Sequence, residues 1–280
     1  MKQIQQVSEL NNYIQNVISE NKSVGFVPTM GYLHEGHDSL IKKSKKENDI
    51  TIVSIYVNPI QFNNKHDYEK YPRNITADIK RLRKLNCDML FHPEDREITN
   101  LPKIKIKIKF DNLKQILEAN MRPGHFDGVI TIVSKLFNII KPNKAYFGEK
   151  DLQQLLIIQK LCDEKYKNIQ IIKCPTIREC NGLAKSSRNK HLDTINLKLA
   201  SNIYKMLKFT KKNIKILGVQ KTKEYVVKYL NNLVGINLEY FEIINSESFS
   251  FTNTINSNTT YYGLIAVEIN NIRLIDNIKL

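Results

Sequence analysis

Residues 50–57 read Ile-Thr-Ile-Val-Ser-Ile-Tyr-Val, a nearly unbroken run of β-branched and aromatic side chains. A strand with one wet face alternates apolar and polar residues. A run without alternation suits a strand buried on both faces, as in a parallel sheet covered by helices. Parallel neighbours need long crossover connections rather than hairpins, so helical segments must flank this strand.

The flanking sequence supplies them. Leu10, Ile14, Val17 and Ile18 recur at helical spacing after Ser8, which reads as an N-cap. A short strand follows over Val24–Val27, then a charged helix from His37 to Asn48. Ile79, Leu82 and Leu85 outline another helix, and Cys87–Phe91 another strand. Val129, Ile132, Val133, Leu136, Ile139 and Ile140 mark an apolar helix that stops before Pro142. A strand end at Ala145–Gly148, a helix over Leu152–Tyr166 and a strand over Ile169–Cys174 complete the series. This β-α alternation predicts an α/β fold, a Rossmann-like doubly wound parallel sheet with its site at the carboxyl ends of the strands.

Lys103 to Phe110 alternates lysine with apolar residues and reads as a lysine-guarded edge strand, which could also lie at a subunit interface. Beyond residue 177 the pattern changes. Helices over Asp193–Asn213 and Val219–Leu233 precede strands over Asn237–Ile244 and Tyr261–Ile275, so a first domain of residues 1–177 and a smaller α+β domain of residues 178–280 are expected.

The net charge of +15 would suit a polyanion, but the lysines and arginines are spread along the whole chain rather than gathered with aromatics in one stripe. Neither a nucleic-acid nor a membrane partner is therefore expected. Cys87, Cys162, Cys174 and Cys180 form no CxxC pair, and the N-terminus has no apolar leader. Both point to a soluble, cytoplasmic protein with reduced thiols.

Five segments carry chemistry. In Pro28-Thr-Met-Gly-Tyr-Leu-His-Glu-Gly-His37, two histidines three apart open a helix and share a side. Free N–H groups there attract phosphate, and Gly31 and Gly36 permit close backbone approach. A zinc pair or two buried histidines are the plainer readings, although HEGH is not the HExxH of zinc proteases. Asn58 and Gln61 close the second strand and offer neutral hydrogen bonds to a small polar substrate. Arg122-Pro-Gly-His-Phe-Asp-Gly128 leads into the apolar helix, with Asp127 readable as an N-cap. In Tyr146-Phe-Gly-Glu-Lys-Asp-Leu-Gln-Gln154, Lys150 can neutralise phosphate, Asp151 can hold Mg²⁺, and Gln154 lies one turn on. Pro175-Thr-Ile-Arg-Glu179 and Ala184-Lys-Ser-Ser-Arg-Asn189 look like a phosphate clamp, or simply a polar loop.

Together and in this order, PTMGYLHEGH, SIYVNPIQF, YPRN, RPGHFDGV, AYFGEKDLQQL, PTIRE, KSSRN and the late RLIDN resemble the pantoate–β-alanine ligase family, within the HxGH nucleotidyltransferase-like superfamily. The resemblance spans nearly the whole chain. It implies a homodimeric enzyme in which ATP and pantoate form pantoyl-adenylate and pyrophosphate, and β-alanine then yields pantothenate and AMP. Carried onto this sequence, Met30, Gly31, Tyr32, Leu33, His34, Glu35, Gly36 and His37 line the ATP site, with His37 the catalytic proton donor to pyrophosphate. Gly148, Glu149, Lys150, Asp151, Ile177, Lys185, Ser186, Ser187 and Arg188 also meet ATP, with Asp151 toward Mg²⁺. Gln61 holds pantoate and β-alanine, Gln154 holds pantoate, and the C-terminal domain acts as a lid. Lys185 stands where the family usually has Met, Tyr32 where it has a small residue, and Asp38 where it has an apolar one.

A nucleotidylyltransferase shares the HxGH pattern but needs no amine, and the glutamine motifs and the full C-terminal half argue against it. A nucleic-acid-binding protein rests on charge alone. A truncated aminoacyl-tRNA synthetase would lack room for an anticodon-reading domain.

Overall fold

The computed structural model describes residues 1–280. The chain forms two compact units, one of Met1–Glu149 with Gln153–Pro175, the other of Lys150–Leu152 with Thr176–Leu280.

In chain order the first unit contains β1 (Lys2–Ile4), α1 (Val7–Ser19), β2 (Val24–Thr29), α2 (Glu35–Glu47), β3 (Ile50–Ile55), α3 (Lys65–Lys70) and α4 (Ile75–Lys84). It continues with β4 (Met89–Phe91), α5 (Asp95–Thr99), α6 (Glu118–Met121), α7 (His125–Ile140), β5 (Lys144–Gly148), α8 (Leu152–Lys165) and β6 (Gln170–Cys174). All six strands pair in parallel in the order β1-β4-β3-β2-β5-β6. The expected doubly wound sheet is therefore present. The central strands are apolar on both faces, since Phe26, Val27, Ile52 and Val53 are all fully buried. From β2 the chain steps outward through β3 and β4, then returns across β2 to β5 and β6. The direction of winding reverses between β2 and β5, and crevices form at such reversals beyond the carboxyl ends of the strands.

Several local expectations change. Ser8 lies inside α1, whose N-cap is Gln6 without a side-chain bond. The first amide of that helix, on Val7, donates instead to Glu97 Oε2 at 2.8 Å, a carboxylate ninety residues away that no local pattern reveals. Ile18 is 50% exposed, at the rim of the apolar stripe. Asp127 does not cap α7; Gly124 does, with φ of +81°, and Asp127 pairs with Lys114 from inside the first turn.

Residues 103–110 form no strand. Their alternation is nonetheless obeyed: Lys103, Lys105, Lys107 and Lys109 face solvent while Ile106 and Ile108 rest on the main core and Phe110 is buried in it. Period-two patterning reports burial of one face, and an extended segment lying on a core satisfies it without a ladder partner.

The second unit contains α9 (Thr194–Asn231), β7 (Asn237–Asn245), β8 (Ser250–Phe251), β9 (Tyr261–Ile269) and β10 (Ile272–Lys279). Its strands form an antiparallel sheet ordered β10-β9-β7-β8. The segment expected as strand over Tyr261–Ile275 is a hairpin, turned at Asn270 and Asn271, both at positive φ. The two expected helices are both present, in direct succession along α9, and are separated at Gly218, whose backbone (φ 77°, ψ 169°) is not helical. Ile203, Met206, Leu207 and Ile214 of α9 pack on Phe241, Ile243, Ile265 and Val267 of the sheet.

Candidate active site

The loop after β2 is held in an unusual backbone shape. Gly31 and Tyr32 both have positive φ, +81° and +50°. A non-glycine residue in the left-handed region needs outside support. Asp78 on α4 provides it: its carboxylate accepts from Tyr32 N at 2.8 Å and Leu33 N at 2.7 Å. Asp78 is itself buried. Burial pushes its carboxyl up, and the two amides oppose that shift. Sequence reading missed this residue, because an acidic residue in a helix's first turn is common and nothing local shows which loop it faces.

The loop delivers His34 and His37 to the N-terminus of α2. His34 Nδ1 accepts from Gly36 N at 3.1 Å, and His37 Nδ1 accepts from His34 N at 3.3 Å, a capping box built from two imidazoles. Each Nδ1 is thus an acceptor, so in the neutral ring the proton resides on Nε2. The rings lie 4.1 Å apart, centroid to centroid. Two Nε2–H donors at the positive end of a helix suit an anion. The two carboxylates of the first turn share one guanidinium. Arg81 grips Asp38 with Nε at 2.6 Å and Nη2 at 2.8 Å and lies 3.4 Å from Glu35. That fork accounts for an acidic residue at position 38.

A neutral site lies at the end of β3, the strand next to β2. Asn58 caps the turn Pro59–Gln61, and its Nδ2 donates to Gly128 O at 3.0 Å and to Gln61 Oε1 at 3.2 Å. Gln61 Nε2 reaches Met30 Sδ at 2.8 Å. From α7, the carbonyl of Gln61 is bound by His125 Nδ1 at 2.6 Å, while Arg122 Nη1 lies 3.2 Å from His125 Nε2. The carbonyl can only accept, so His125 carries its proton on Nδ1 and accepts from Arg122. The RPGH segment thus acts on the Gln61 turn, a role its sequence did not disclose. Of the glutamine pair on α8, Gln153 is buried and bound to the backbone of Leu113, Ile116 and Glu118. Gln154 is half-buried on the first turn. Gly148, at the end of β5, is followed directly by Glu149.

In the second unit, Lys150 and Asp151 sit in a single 3-10 turn, with Lys150 Nζ 3.5 Å from Asp151 Oδ1. The chain from Ile177 to Lys185 folds back on itself: Lys185 N donates to Ile177 O at 2.9 Å and Glu179 N to Leu183 O at 2.8 Å. Arg178 anchors this fold. It reaches Asp276 of β10 at 2.5 and 3.0 Å, binds Gly182 O at 3.1 Å and stacks 3.7 Å over Tyr204. Lys185 is paired with Glu179 at 2.6 Å. Ser186 caps the next turn by accepting from Arg188 N at 3.3 Å, Ser187 is buried and Arg188 half-buried.

No group of three or more His, Cys, Asp or Glu side chains is arranged to hold a metal ion. Asp151 offers a single carboxylate, 46% exposed. That donor set does not fit a resident metal but fits Mg²⁺ arriving with a triphosphate, whose own oxygens and waters complete the shell.

A family model for pantoate–β-alanine ligases matches residues 2–279. The chain belongs to that family. Pantothenate synthetases from Azobacteroides pseudotrichonymphae genomovar. CFP2 and Cytophaga hutchinsonii are 45% and 44% identical to it, each over 99% of both chains. The solved pantothenate synthetase of Thermus thermophilus superposes with a TM-score of 0.89 at 32% identity, covering 99% of both chains. The pantoate–β-alanine ligase of Francisella tularensis, solved with β,γ-ATP and β-alanine, gives 0.81 at 38% identity, covering 99% of this chain and 97% of that one. The expectation of a ligase of the pantoate–β-alanine family, on a Rossmann-like sheet with a smaller α+β unit, therefore holds.

Proposed function

We propose that the protein condenses pantoate with β-alanine in two steps through pantoyl-adenylate, consuming ATP as its Mg²⁺ complex. The observation that carries this reading is the double-imidazole cap at α2, which commits both Nδ1 atoms to the backbone and sets both protons on Nε2.

In the first step the pantoate carboxylate attacks the α-phosphorus, and negative charge accumulates on the departing pyrophosphate. Donors already in place stabilise that charge without reorganising, and one such group is typically worth about 10²–10³ in rate. His34 and His37 are assigned to the phosphates, with His37 Nε2–H donating a hydrogen bond to the departing pyrophosphate; the neutral ring keeps its proton, and pyrophosphate leaves with its charge held by that donor and by the cations around it. Met30, Gly31, Tyr32, Leu33, Glu35 and Gly36 line the nucleotide, with Gly148 and Glu149. Lys150, Ser186, Ser187 and Arg188 add charge and hydrogen bonds, Asp151 faces the Mg²⁺, and Ile177 contacts the nucleotide. Lys185 is retained among the ATP residues with its charge already matched by Glu179.

Gln61 and Gln154 hold pantoate by neutral hydrogen bonds, which leave its carboxylate nucleophilic. In the second step the β-alanine amine, also near Gln61, attacks the acyl carbon and expels AMP. A homodimer in the cytoplasm is the proposed setting. No helix is long and apolar enough to cross a membrane.

A coupled assay for AMP, with ATP, Mg²⁺, pantoate and β-alanine omitted in turn, tests the reading. AMP should require all of them, and pyrophosphate should appear with pantoate and Mg²⁺-ATP alone. AMP formed without pantoate, or no turnover by well-folded protein, would sink the proposal.

A further inference from the structure

The last strand of the chain holds two of the segments assigned to ATP. Asn277 on β10 donates from Nδ2 to the backbone carbonyl of Lys150 at 2.9 Å, across 127 residues of sequence. Its neighbour Asp276, 4% exposed, receives the guanidinium of Arg178 at 2.5 and 3.0 Å and the amide of Asn277 at 2.8 Å. Arg178 also reaches back to the carbonyl of Asn277 at 3.4 Å. Arg178 forms a β-bridge with Ala184, which places Lys185 and the Ser186–Arg188 turn next in the chain.

We propose that Asn277 is a positioning residue for the reaction, setting the place of the Lys150 ammonium through the Lys150 carbonyl, while Asp276 sets the 177–188 loop through Arg178. This rests on the assignment of Lys150 and the loop to ATP. The chemistry of the groups supports it. The Lys150–Asp151 pair lies in a single short turn, too short to hold itself rigidly in water. A buried amide donor on a strand fixes that turn from outside, and β10 is itself fixed by an eight-residue antiparallel register with β9. Arg178, fully engaged by a buried carboxylate, a carbonyl and an aromatic face, serves as scaffold and not as a phosphate ligand.

A residue that acts through Lys150 must lose its effect when the Lys150 side chain is gone, because coupled sites are not additive. Lys150→Ala keeps the backbone carbonyl, so a purely structural contribution of Asn277 would survive it. Asn277→Ala should lower kcat by about tenfold or more with the KM for pantoate unchanged, since displacement of a catalytic group by about 1 Å can cost about 10²-fold. In the Lys150→Ala background the same change should alter kcat less than about twofold. Asn277→Leu, which keeps most of the volume and removes the donor, should reproduce the loss with a melting temperature near that of the unmodified protein. Equal losses from Asn277→Ala with and without Lys150, in an active protein, overturn the positioning role alone. Absence of turnover by the unmodified protein removes both this inference and the reading on which it rests.

Discussion

Replacing Gly128 by alanine would push a methyl group into the backbone of the Gln61 turn. A Cβ at position 128 would stand 2.7 Å from Gln61 N and 2.8 Å from both Gln61 Cα and Ile60 C. Ordinary contact begins near 3.4 Å, so α7 and the turn must separate by about 0.7 Å. None of the three atoms is a side-chain tip that can swing aside. The Asn58–Gly128 bond of 3.0 Å and the His125–Gln61 bond of 2.6 Å span the same gap and would lengthen together. Overpacking of this kind costs about 1–3 kcal/mol, a fall in melting temperature of roughly 2–4 °C per kcal/mol for a unit of this size. The functional loss should be larger. If Gln61 holds the substrates as proposed, moving its amide by most of an ångström should lower kcat/KM for pantoate and β-alanine by about 10- to 100-fold. The KM for ATP should barely move. Steady-state kinetics in each substrate, with thermal melting, would measure this. Gly263→Ala is the control, since a Cβ there would meet only side-chain carbons at 3.6–3.7 Å. Unchanged kcat/KM for pantoate and β-alanine in a protein whose melting point has fallen would refute the assigned role of Gln61. An unchanged melting point would refute the packing argument.

His37→Ala should cut pantoate-dependent pyrophosphate release by about 10²–10³, with only about 1 kcal/mol of stability lost with the helix cap; near-normal release would remove His37 from the chemistry. Lys185→Met should change kcat/KM for ATP by less than about fivefold, because the lost contact is a half-exposed ion pair; a drop beyond about tenfold would show its ammonium acting on the phosphates. Burial pushes the thiols of Cys87 and Cys162 up to about 12 and that of Cys174 to about 11, so at about pH 8 they stay protonated and shielded. A disulfide reagent should then titrate only the exposed Cys180 in native protein and all four thiols after unfolding, and rapid reaction of a second native thiol would contradict that burial.

Much of the first unit was legible because its signals are local. Unalternated apolar runs specified buried parallel strands, and the stripe from Val129 to Ile140 specified the helix beside Gln61. Where the reading failed, a local signal had two physical solutions. Ser8 could cap a helix, but Glu97 took that role from a distance. Alternation over residues 103–110 marked one buried face and could not say whether a neighbouring strand was present.

The site divides in the same way. The HEGH pair, Gln61 and Lys150 stand out in the sequence as candidate chemistry because they sit in contiguous motifs. Their supports do not, since Asp78, His125 and Asn277 act on backbone atoms and Asp276 on the Arg178 guanidinium, from 45 to 127 residues away. Periodicity was enough for the sheet, and contiguous motifs were enough for the family. Which carboxylate clamps which loop, and which amide fixes which turn, follows from burial and from distances that close only when the chain folds.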